Sequence, residues 1–518
     1  MVPGVQTGRQ HCREKDEMVV AQGLIPPRAS LPAASRDSGV ERPAGAVVLA
    51  VAGLLLAGLT AGCGTLCLRH LPPGAYVQGT VQPACGLRFL GDVTYVDETG
   101  TRQSEQRIFA DILELVATAQ TFVVADMFLY NEWSGREASP YRRLAREFTD
   151  ALVAKKQRCP NCTIVLITDP INTAYGGARA PHLDRLRAAG ITVVETDLER
   201  LRDSNPIYSA VWRALVRPFG NSPGGILPNP FDGGSVPLRT YLRLLNFKAN
   251  HRKLLVADPD GVPTAVVTSA NPHDGSSAHT NAAVRFSGPA ALELLRIELA
   301  VTAFSGTPLD LPVPAGTLAG CDTPTTVQVV TERCIRETVM AALAQTRAGD
   351  EVDLVMFYLA DHGIVNALAA AERRGVRLRV VLDPNKDAFG RQKGGIPNRQ
   401  VAQDLHGAGV PLRWYDTHGE QCHTKLLLIR SADGQAMLST GSANYTRRNL
   451  ENFNLETNVV VRGPAADPVL QDARRYVDAI WTNADGRHCT VEYEHYRDPS
   501  RLKYWRYRFM EATGLSTF

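Results

Sequence analysis

Two short stretches, one in each half of the chain, combine a histidine, a lysine, a serine and an asparagine at matching distances. Each histidine stands two residues before the lysine, at the head of an apolar run that is typical of a buried strand. Because side chains two apart on a strand project to the same side, each stretch presents an imidazole and an ammonium group together. The residues are His251, Lys253, Ser269 and Asn271 in the first copy, and His423, Lys425, Ser442 and Asn444 in the second.

The chemistry that such a pair of stretches could perform is cleavage or transfer of a phosphodiester. One neutral histidine would attack phosphorus and form a phosphohistidine, while the other, protonated, would give its proton to the leaving alkoxide. Lysine and asparagine side chains would stabilise the charge on the non-bridging oxygens without a metal ion. A single His-x-Lys pair before an apolar run is common by chance. Two copies, each with a Ser-x-Asn downstream, favour catalysis.

These residues resemble the paired signatures of the phospholipase D superfamily. The matching residues are His251, Lys253 and Asp258 followed by Ser269 and Asn271, then His423 and Lys425 followed by Ser442 and Asn444. The resemblance spans roughly Val81 to Trp481, and it departs from the pattern at Arg430, which stands where the second copy should carry its Asp. It implies two similar α/β/α halves with the active site between them. It also implies a ping-pong reaction through a phosphohistidine, with no metal or organic cofactor.

The resemblance also suggests a role for Glu456, which lies on the strand after the second Ser-x-Asn. The superfamily often has a Glu there that orients a catalytic histidine, so we expect Glu456 to hold His423 in one tautomer. In that case His423 would be the acid and His251 the nucleophile, and the inverted assignment stays open. The alternative for Glu456 is a surface carboxylate. In the first copy, His279 stands at the corresponding position.

The rest of the chain repeats as well. Predicted strands alternate with predicted helices in both halves, which favours an α/β fold of two similar α/β/α sandwich halves. Asp169-Pro170 is matched by Asp383-Pro384, and Met127-Phe128 by Met356-Phe357; we interpret these pairs as structural. The predicted boundaries are 81–312 for the first half with an insertion at about 200–245, 322–490 for the second half, and 491–518 for a C-terminal tail.

The insertion and the tail both combine aromatic with basic residues. The insertion enters just before the first catalytic strand, so we expect it at the mouth of the cleft. Its segment from Ser204 to Asn221 could grip acyl chains or a membrane surface, or it could be an ordinary packed helix and loop. In the tail, the interleaved residues from Arg501 to Phe509 suit lipid headgroups or nucleic acid. The alternative for the tail is a C-terminal helix packed on the body.

The N-terminal residues predict an anchor. Residues 1–42 lack a periodic apolar pattern and are predicted to be disordered. Residues 43–68 contain no charged residue and predict either a lipoprotein signal, with Cys63 as the lipidated residue, or one transmembrane helix. Both interpretations attach the body to the cell envelope and favour its export.

The cysteines are compatible with export. We expect a local disulfide between Cys159 and Cys162, and Cys321 with Cys334 is a second candidate pair. A zinc site at Cys159 and Cys162 is disfavoured because the sequence offers no second pair and no nearby histidine.

Composition narrows the substrate class. The net charge of +3, from 56 basic and 53 acidic residues, argues against a dedicated nucleic-acid coat without excluding a nuclease. The predicted anchor places the cleft beside lipid, so we expect phospholipid and the membrane surface as partners, with no obligatory protein partner. The expected reaction is hydrolysis of a glycerophospholipid, or transfer to an alcohol as in the cardiolipin synthases of the superfamily. The alternatives are a nuclease of the same superfamily and an inactive binding protein, for which Arg430 is the only support.

Overall fold

The computed structural model describes residues 70–83, 85–134, 141–231, 234–311, 321, 323–388, 391–514 and 516. The predictions for residues 1–42 and 43–68, including lipidation of Cys63, lie outside the described residues. Within these ranges, no helix combines the length and the apolar character that crossing a membrane requires.

The first half alternates strands with helices. Its elements are β1 (Gln82–Pro83), β2 (Cys85–Val96), β3 (Arg102–Glu105), α1 (Ile108–Thr118), β4 (Ala119–Met127), α2 (Leu144–Arg158), β5 (Thr163–Thr168), α3 (Pro181–Ala188), β6 (Thr192–Glu195), α4 (Pro206–Val211), β7 (Leu227–Pro228), β8 (Ser235–Val236), α5 (Leu238–Leu244), β9 (Lys253–Pro259), β10 (Thr264–Thr268), β11 (Asn281–Ser287) and α6 (Pro289–Phe304). The predicted insertion comprises α4, a π-helical turn (Trp212–Val216), the β7–β8 pair and α5.

The second half follows the same alternation. Its elements are β12 (Thr326–Thr331), α7 (Glu332–Gln345), β13 (Glu351–Met356), α8 (His362–Arg373), β14 (Arg377–Leu382), β15 (Asp387–Ala388), β16 (Arg391–Gln392), α9 (Asn398–Gly407), β17 (Leu412–Tyr415), β18 (Lys425–Arg430), β19 (Gln435–Gly441), α10 (Arg447–Leu450), β20 (Thr457–Pro464), α11 (Pro468–Thr482), β21 (Thr490–Glu492) and α12 (Arg501–Thr513).

The strand order confirms the predicted duplication. The first sheet runs β3-β2-β11-β10-β9-β4-β5-β6, and the second runs β1-β12-β20-β19-β18-β13-β14-β17-β21. The stretch β2-β11-β10-β9-β4-β5-β6 therefore has its counterpart in β12-β20-β19-β18-β13-β14-β17. Directions agree too: β4, β5 and β6 are parallel, as are β13, β14 and β17, whereas β9 and β18 are antiparallel to their neighbours.

Each sheet is buried on both faces, which explains the apolar runs in the sequence. Helices α1, α2 and α3 cover the outer face of the first sheet, and α7, α8 and α9 cover that of the second. The inner faces, with α6 and α11, share one core that contains side chains from both halves. On β9, Leu254 and Val256 point into this shared core while Leu255 and Ala257 point into the outer one. The chain directly before β9 and before β18 pairs with the opposite half, through Asn250 with Leu455 and Cys422 with Thr280, so the starts of both strands lie at the boundary between the halves.

The disulfide predictions were wrong. The structure pairs Cys85 with Cys321, across a sequence separation of 236 residues, and leaves Cys159, Cys162 and Cys334 as free cysteines. Cys85 begins β2 and Cys321 lies in the segment between the two halves. The pair therefore depends on tertiary packing, which spacing along the sequence does not reveal.

Candidate active site

His251 lies at the boundary between the halves and is held by the second half. Its backbone N–H donates to the carbonyl oxygen of Leu455 at 2.9 Å, and its Nδ1 lies 2.7 Å from Oε1 of Glu456. The expected contact between Glu456 and His423 is therefore wrong. The stretch before β20 runs along the boundary, where Leu455 pairs with Asn250, so Glu456 reaches the histidine of the opposite half.

His423 is held in the same way by the first half. Its backbone N–H donates to the carbonyl oxygen of Thr280 at 2.9 Å, and its Nδ1 lies 2.9 Å from the carbonyl oxygen of Ser269. A carbonyl oxygen only accepts, so Nδ1 carries the hydrogen and donates it. The same nitrogen lies 3.3 Å from Oδ1 of Asn281. The ring of His279 is centred 5.8 Å from the ring of His423.

The two serines fix the side chains that hold the histidines. Ser442 Oγ donates to Oε2 of Glu456, and Ser269 Oγ donates to Oδ1 of Asn281 at 2.9 Å. The first-half counterpart of Glu456 is therefore Asn281 rather than His279, which corrects the sequence alignment of the two copies. His251 therefore contacts the carboxylate of Glu456, and His423 lies beside the neutral amide of Asn281. The two halves differ at the position that influences the charge of the histidine.

The predicted lysines contact the histidines, and the predicted asparagines have other surroundings. The ammonium groups of Lys253 and Lys425 each donate to the carbonyl oxygen of the histidine two residues before, at 2.6 Å in both copies. Asn271 Oδ1 accepts the N–H of Leu129 at 3.1 Å, and Oδ1 of Asn444 has no hydrogen-bond partner among the described residues. Within the same ranges, no group of three or more His, Cys, Asp and Glu side chains is placed to hold a metal ion.

Two phenylalanines complete the surroundings, and the sequence interpretation missed them. The ring of Phe128, directly after β4, is centred 4.6 Å from that of His251, and the ring of Phe357, directly after β13, 4.8 Å from that of His423. The ammonium group of Lys253 lies 4.9 Å from the centre of the Phe128 ring, and that of Lys425 lies 5.0 Å from the centre of the Phe357 ring. Both distances are within range of a cation–π interaction. The repeated Met-Phe pair was the available signal, but we interpreted it as structural only.

The repeated Asp-Pro pairs also serve the site. Asp169 Oδ2 accepts the backbone N–H of Asn250 at 2.7 Å, and Asp383 Oδ2 accepts the backbone N–H of Cys422 at 2.8 Å. Each acceptor therefore fixes the residue directly before a histidine. Both carboxylates also accept an N–H in their own turn, which matches the turn role predicted from the sequence.

Asp258 lies outside this site, toward the other end of β9. Its carboxylate accepts backbone N–H groups at the start of β4, including that of Thr121 at 2.9 Å. At a rise of about 3.3 Å per residue, some 15 Å or more of strand separate it from the lysine of its motif. Its counterpart Arg430 contacts Glu351 and lies 3.5 Å from Asp353. Asp258 therefore connects β9 with β4, and Arg430 connects β18 with β13. The replacement of the motif's Asp by Arg430 does not change the contacts of the histidines.

Burial decides the charge state of the site. It lowers the pKa of His251 to about 4, although Glu456 opposes the shift. Burial and then the charge of Lys425 lower the pKa of His423 well below its usual value. Burial lowers the pKa of Lys253 to about 7, and burial with the charge of Lys253 lowers the pKa of Lys425 well below its usual value. Burial and mutual repulsion therefore disfavour the cationic forms of all four side chains, and a bound phosphodiester anion would shift them back toward those forms.

Comparisons with known proteins relate part of the sequence, and the fold, to proteins of known family. Residues 340–481 match the family model described as cardiolipin synthase, PLD-like domain. No curated protein matches the chain. The fold is similar to that of phosphatidylserine synthase from Haemophilus influenzae Rd KW20, with a TM-score of 0.51 and 9% identity over 84% of this chain and 96% of that one.

Two further solved structures resemble the chain more weakly. Polyphosphate kinase from Porphyromonas gingivalis has a TM-score of 0.40 and 12% identity, covering 79% of this chain and 51% of that one. Nuc, a phospholipase D family member from Salmonella typhimurium, has a TM-score of 0.25 and 22% identity, covering 32% of this chain and 99% of that one.

Proposed function

We propose that this chain cleaves or transfers the phosphodiester of glycerophospholipids. The premise is that it is a phospholipase D-like protein with the bilobal fold of that superfamily. Members of the superfamily are generally phosphodiesterases or transferases. The observation that carries the proposal is the mutual anchoring of the histidines: each is fixed through Nδ1 by the opposite half, so Nε2 of both rings remains for chemistry.

The contacts favour His251 as the nucleophile and His423 as the acid. Glu456 holds the hydrogen on Nδ1 of His251, which leaves a lone pair on Nε2 and stabilises the positive charge of the phosphorylated ring. Nε2 of His251 forms a bond to phosphorus while the bond from phosphorus to the leaving oxygen breaks, and His423 gives its Nε2 proton to that oxygen. Water or an alcohol then gives a proton back to His423, attacks phosphorus and releases His251.

The comparisons and the predicted anchor support the lipid assignment. The matching family model is described as a cardiolipin synthase domain, and the similar solved structure is a phosphatidylserine synthase. The predicted anchor in residues 43–68 would hold the body at the cell envelope, beside lipid. The intact histidines, lysines and asparagines argue against an inactive binding protein, because Arg430 lies away from them.

The test offers lipid and nucleic acid side by side to the full-length chain in detergent, with EDTA present. The lipid arm uses phosphatidylglycerol or phosphatidylcholine vesicles, and the other arm uses single-stranded DNA. We expect headgroup release or cardiolipin formation that falls by about 10³-fold or more in both His251→Ala and His423→Ala. His488→Ala, which removes an exposed histidine, should retain full activity.

Two outcomes would overturn the lipid assignment. Cleavage of DNA alone, lost in the same two variants, would make the chain a nuclease of the same superfamily. No turnover of either substrate, with both bound unchanged, would favour the binding protein.

A further inference from the structure

The exposed large apolar side chains of the described residues are concentrated in two segments. Apart from Tyr76 and Val81, all of them lie in residues 207–245 or 502–509. An exposed apolar side chain taken singly needs no explanation, whereas a contiguous group marks an interaction surface. Each segment contains a group with the spacing of a helix face, and Ile226, Leu238 and Leu245 lie outside these groups.

The first group, called here the insertion stripe, consists of Ile207, Val211, Leu215 and Phe219. Ile207, Val211 and Leu215 recur every fourth residue along α4 and the π-helical turn after it, so they share one face, and Phe219 follows three residues after that turn. Phe219 is 72% exposed and Ile207 69% exposed. The opposite face is buried through Trp212, which is only 2% exposed and donates to Glu199 at 3.0 Å. The helix is therefore fixed on the body with its apolar face outward.

The second group, called here the α12 stripe, consists of Leu502, Trp505 and Phe509. Their spacing of three and four residues places them on one face of α12, and they are 82%, 70% and 60% exposed. The inward face is fixed by Tyr507, which is fully buried and donates to the carbonyl oxygen of Ala360 at 3.3 Å. Packing of the helix on the body therefore accounts for Tyr507 and leaves the apolar stripe unexplained.

Both stripes lie close along the chain, or through one contact, to residues of the candidate active site. Ala360, which holds α12, closely follows Phe357, whose ring contacts His423. The insertion ends shortly before His251. The two segments also approach each other, at Gly514 directly after α12 and Ser204 before α4. A Cβ atom added to Gly514 would lie 3.9 Å from the carbonyl oxygen of Ser204.

The segments that carry the stripes are rich in basic residues, of which Arg213 and Arg243 pair with Glu199 and Lys503 pairs with Asp498. Residues 204–247 contain four arginines and one acidic residue, and α12 contains four basic residues and one glutamate. The arginines at 217, 501 and 506 are exposed. The chain as a whole is nearly balanced at +3, so this bias is local. Exposed Trp, Phe and Leu flanked by arginine and lysine are the composition of helices that lie in a lipid interface.

We propose that the insertion stripe and the α12 stripe together dock the protein on an anionic lipid bilayer, with the cleft beside the membrane. The stripes enter the headgroup region, and the flanking arginines contact lipid phosphates. Docking in this position would bring a headgroup phosphodiester to the histidines without complete removal of the lipid from the bilayer. The substrate role of that lipid rests on the proposed function, whereas docking itself can be measured without turnover.

The first measurement follows tryptophan fluorescence of the full-length chain reconstituted in phosphatidylglycerol–phosphatidylcholine vesicles, with lipids brominated at shallow acyl positions as quenchers. We expect quenching that is lost in Trp505→Phe, since phenylalanine keeps the apolar surface but removes the reporter. Equal quenching of the parent and of Trp505→Phe would overturn the proposal. Quenching of Trp505 by single-stranded DNA instead of lipid would assign the surface to nucleic acid and overturn it equally.

The second measurement compares packed with dispersed substrate. In the variant Leu502→Ser, Trp505→Ser, Phe509→Ser, turnover of vesicle lipid should fall by about tenfold or more, while turnover of a dispersed short-chain phospholipid should change by less than about twofold. Val81→Ser, which replaces an exposed apolar residue outside both stripes, is the matched control. Equal effects on both substrates, or a change of oligomeric state with unchanged vesicle turnover, would contradict lipid docking. If no lipid is turned over, the proposed function fails while the fluorescence result still decides the docking surface.

Discussion

At the scale of single residues, the main finding is that two nearly identical motifs have different electrostatic partners. Glu456 lies against His251, whereas Asn281 occupies the matching place beside His423. A carboxylate stabilises an imidazole that carries positive charge, and an amide does so much less. The asymmetry therefore supports the proposed assignment of different roles to the two histidines.

Replacement of Glu456 tests this assignment. Glu456→Gln keeps the shape of the side chain but removes the charge that stabilises the phosphorylated ring of His251, so we expect kcat to fall by about 10²-fold or more. Rapid-quench measurement of phosphoenzyme formation should show that this first step is the one slowed. Unchanged formation with slower release would contradict His251 as the nucleophile.

Asn281→Asp is the matched variant in the other half. A carboxylate beside His423 raises the pKa of that imidazole, so the proton donor stays protonated to higher pH. The alkaline limb of kcat/KM should consequently move upward relative to the parent chain. An acidic limb that moves upward while the alkaline limb stays in place would indicate that His423 must be neutral when substrate binds.

At the scale of elements, the site depends on the loops that enter β9 and β18. Asp169 and Asp383, each at the end of a parallel strand, hold the backbone directly before each histidine. The Asp-Pro pairs therefore connect the parallel strands of each half to its catalytic strand. Positioning of this kind explains why the repeat extends beyond the His-Lys motifs.

Asp169→Ala removes the acceptor of a buried backbone N–H. We expect a loss of about 1–3 kcal/mol in the free energy of unfolding, together with a lower kcat because His251 is misplaced. Urea unfolding monitored by circular dichroism, with steady-state kinetics on the same samples, measures both. Asp433→Ala, which removes an exposed turn carboxylate, should change stability by less than about 0.5 kcal/mol.

The pH dependence of this loss has a defined sign. Burial raises the pKa of Asp169 to about 7, above the value of about 3.9 in an unfolded chain. The native state therefore binds this proton more tightly, and its contribution to stability, full at low pH, is lost as pH rises through 7. The stability difference between the parent chain and Asp169→Ala should accordingly shrink between about pH 4 and pH 8. A difference that grows with pH would contradict the raised pKa.

At the scale of the whole molecule, a buried ionic cluster joins the halves behind the site. Arg252, between His251 and Lys253, lies 3.0 Å from Glu298 and 2.7 Å from Glu332, and all three side chains of this cluster are fully buried. Glu332 belongs to the second half. The cluster therefore couples the position of the first motif to the packing of the two halves.

Arg252→Met should leave two buried carboxylates without a counter-charge. We expect a loss of about 3–5 kcal/mol in the free energy of unfolding, because breaking a buried ion pair costs more than the pair itself contributes. The denaturant midpoint of the full chain measures this effect. Arg185→Met, which breaks an exposed pair with Asp150, should cost at most about 1 kcal/mol, and a similar loss in both variants would argue against the cluster.

The sequence by itself determined the motifs, the duplication and the α/β class. Spacing and strand alternation are local properties, so the paired His-Lys stretches, the Ser-x-Asn pairs and the repeated Asp-Pro turns could be read directly. The apolar runs of β9 and β18 predicted strands buried on both faces, as the structure has them.

Only the tertiary structure decided which groups meet. The partner of Glu456 is His251 because the chain crosses the boundary between halves, and the partner of Cys85 is Cys321 for the same kind of reason. Asp258 matches the superfamily motif, yet the length of β9 carries it away from the histidines. Contacts between segments far apart in sequence depend on how the sheets pack, and no local pattern encodes that packing.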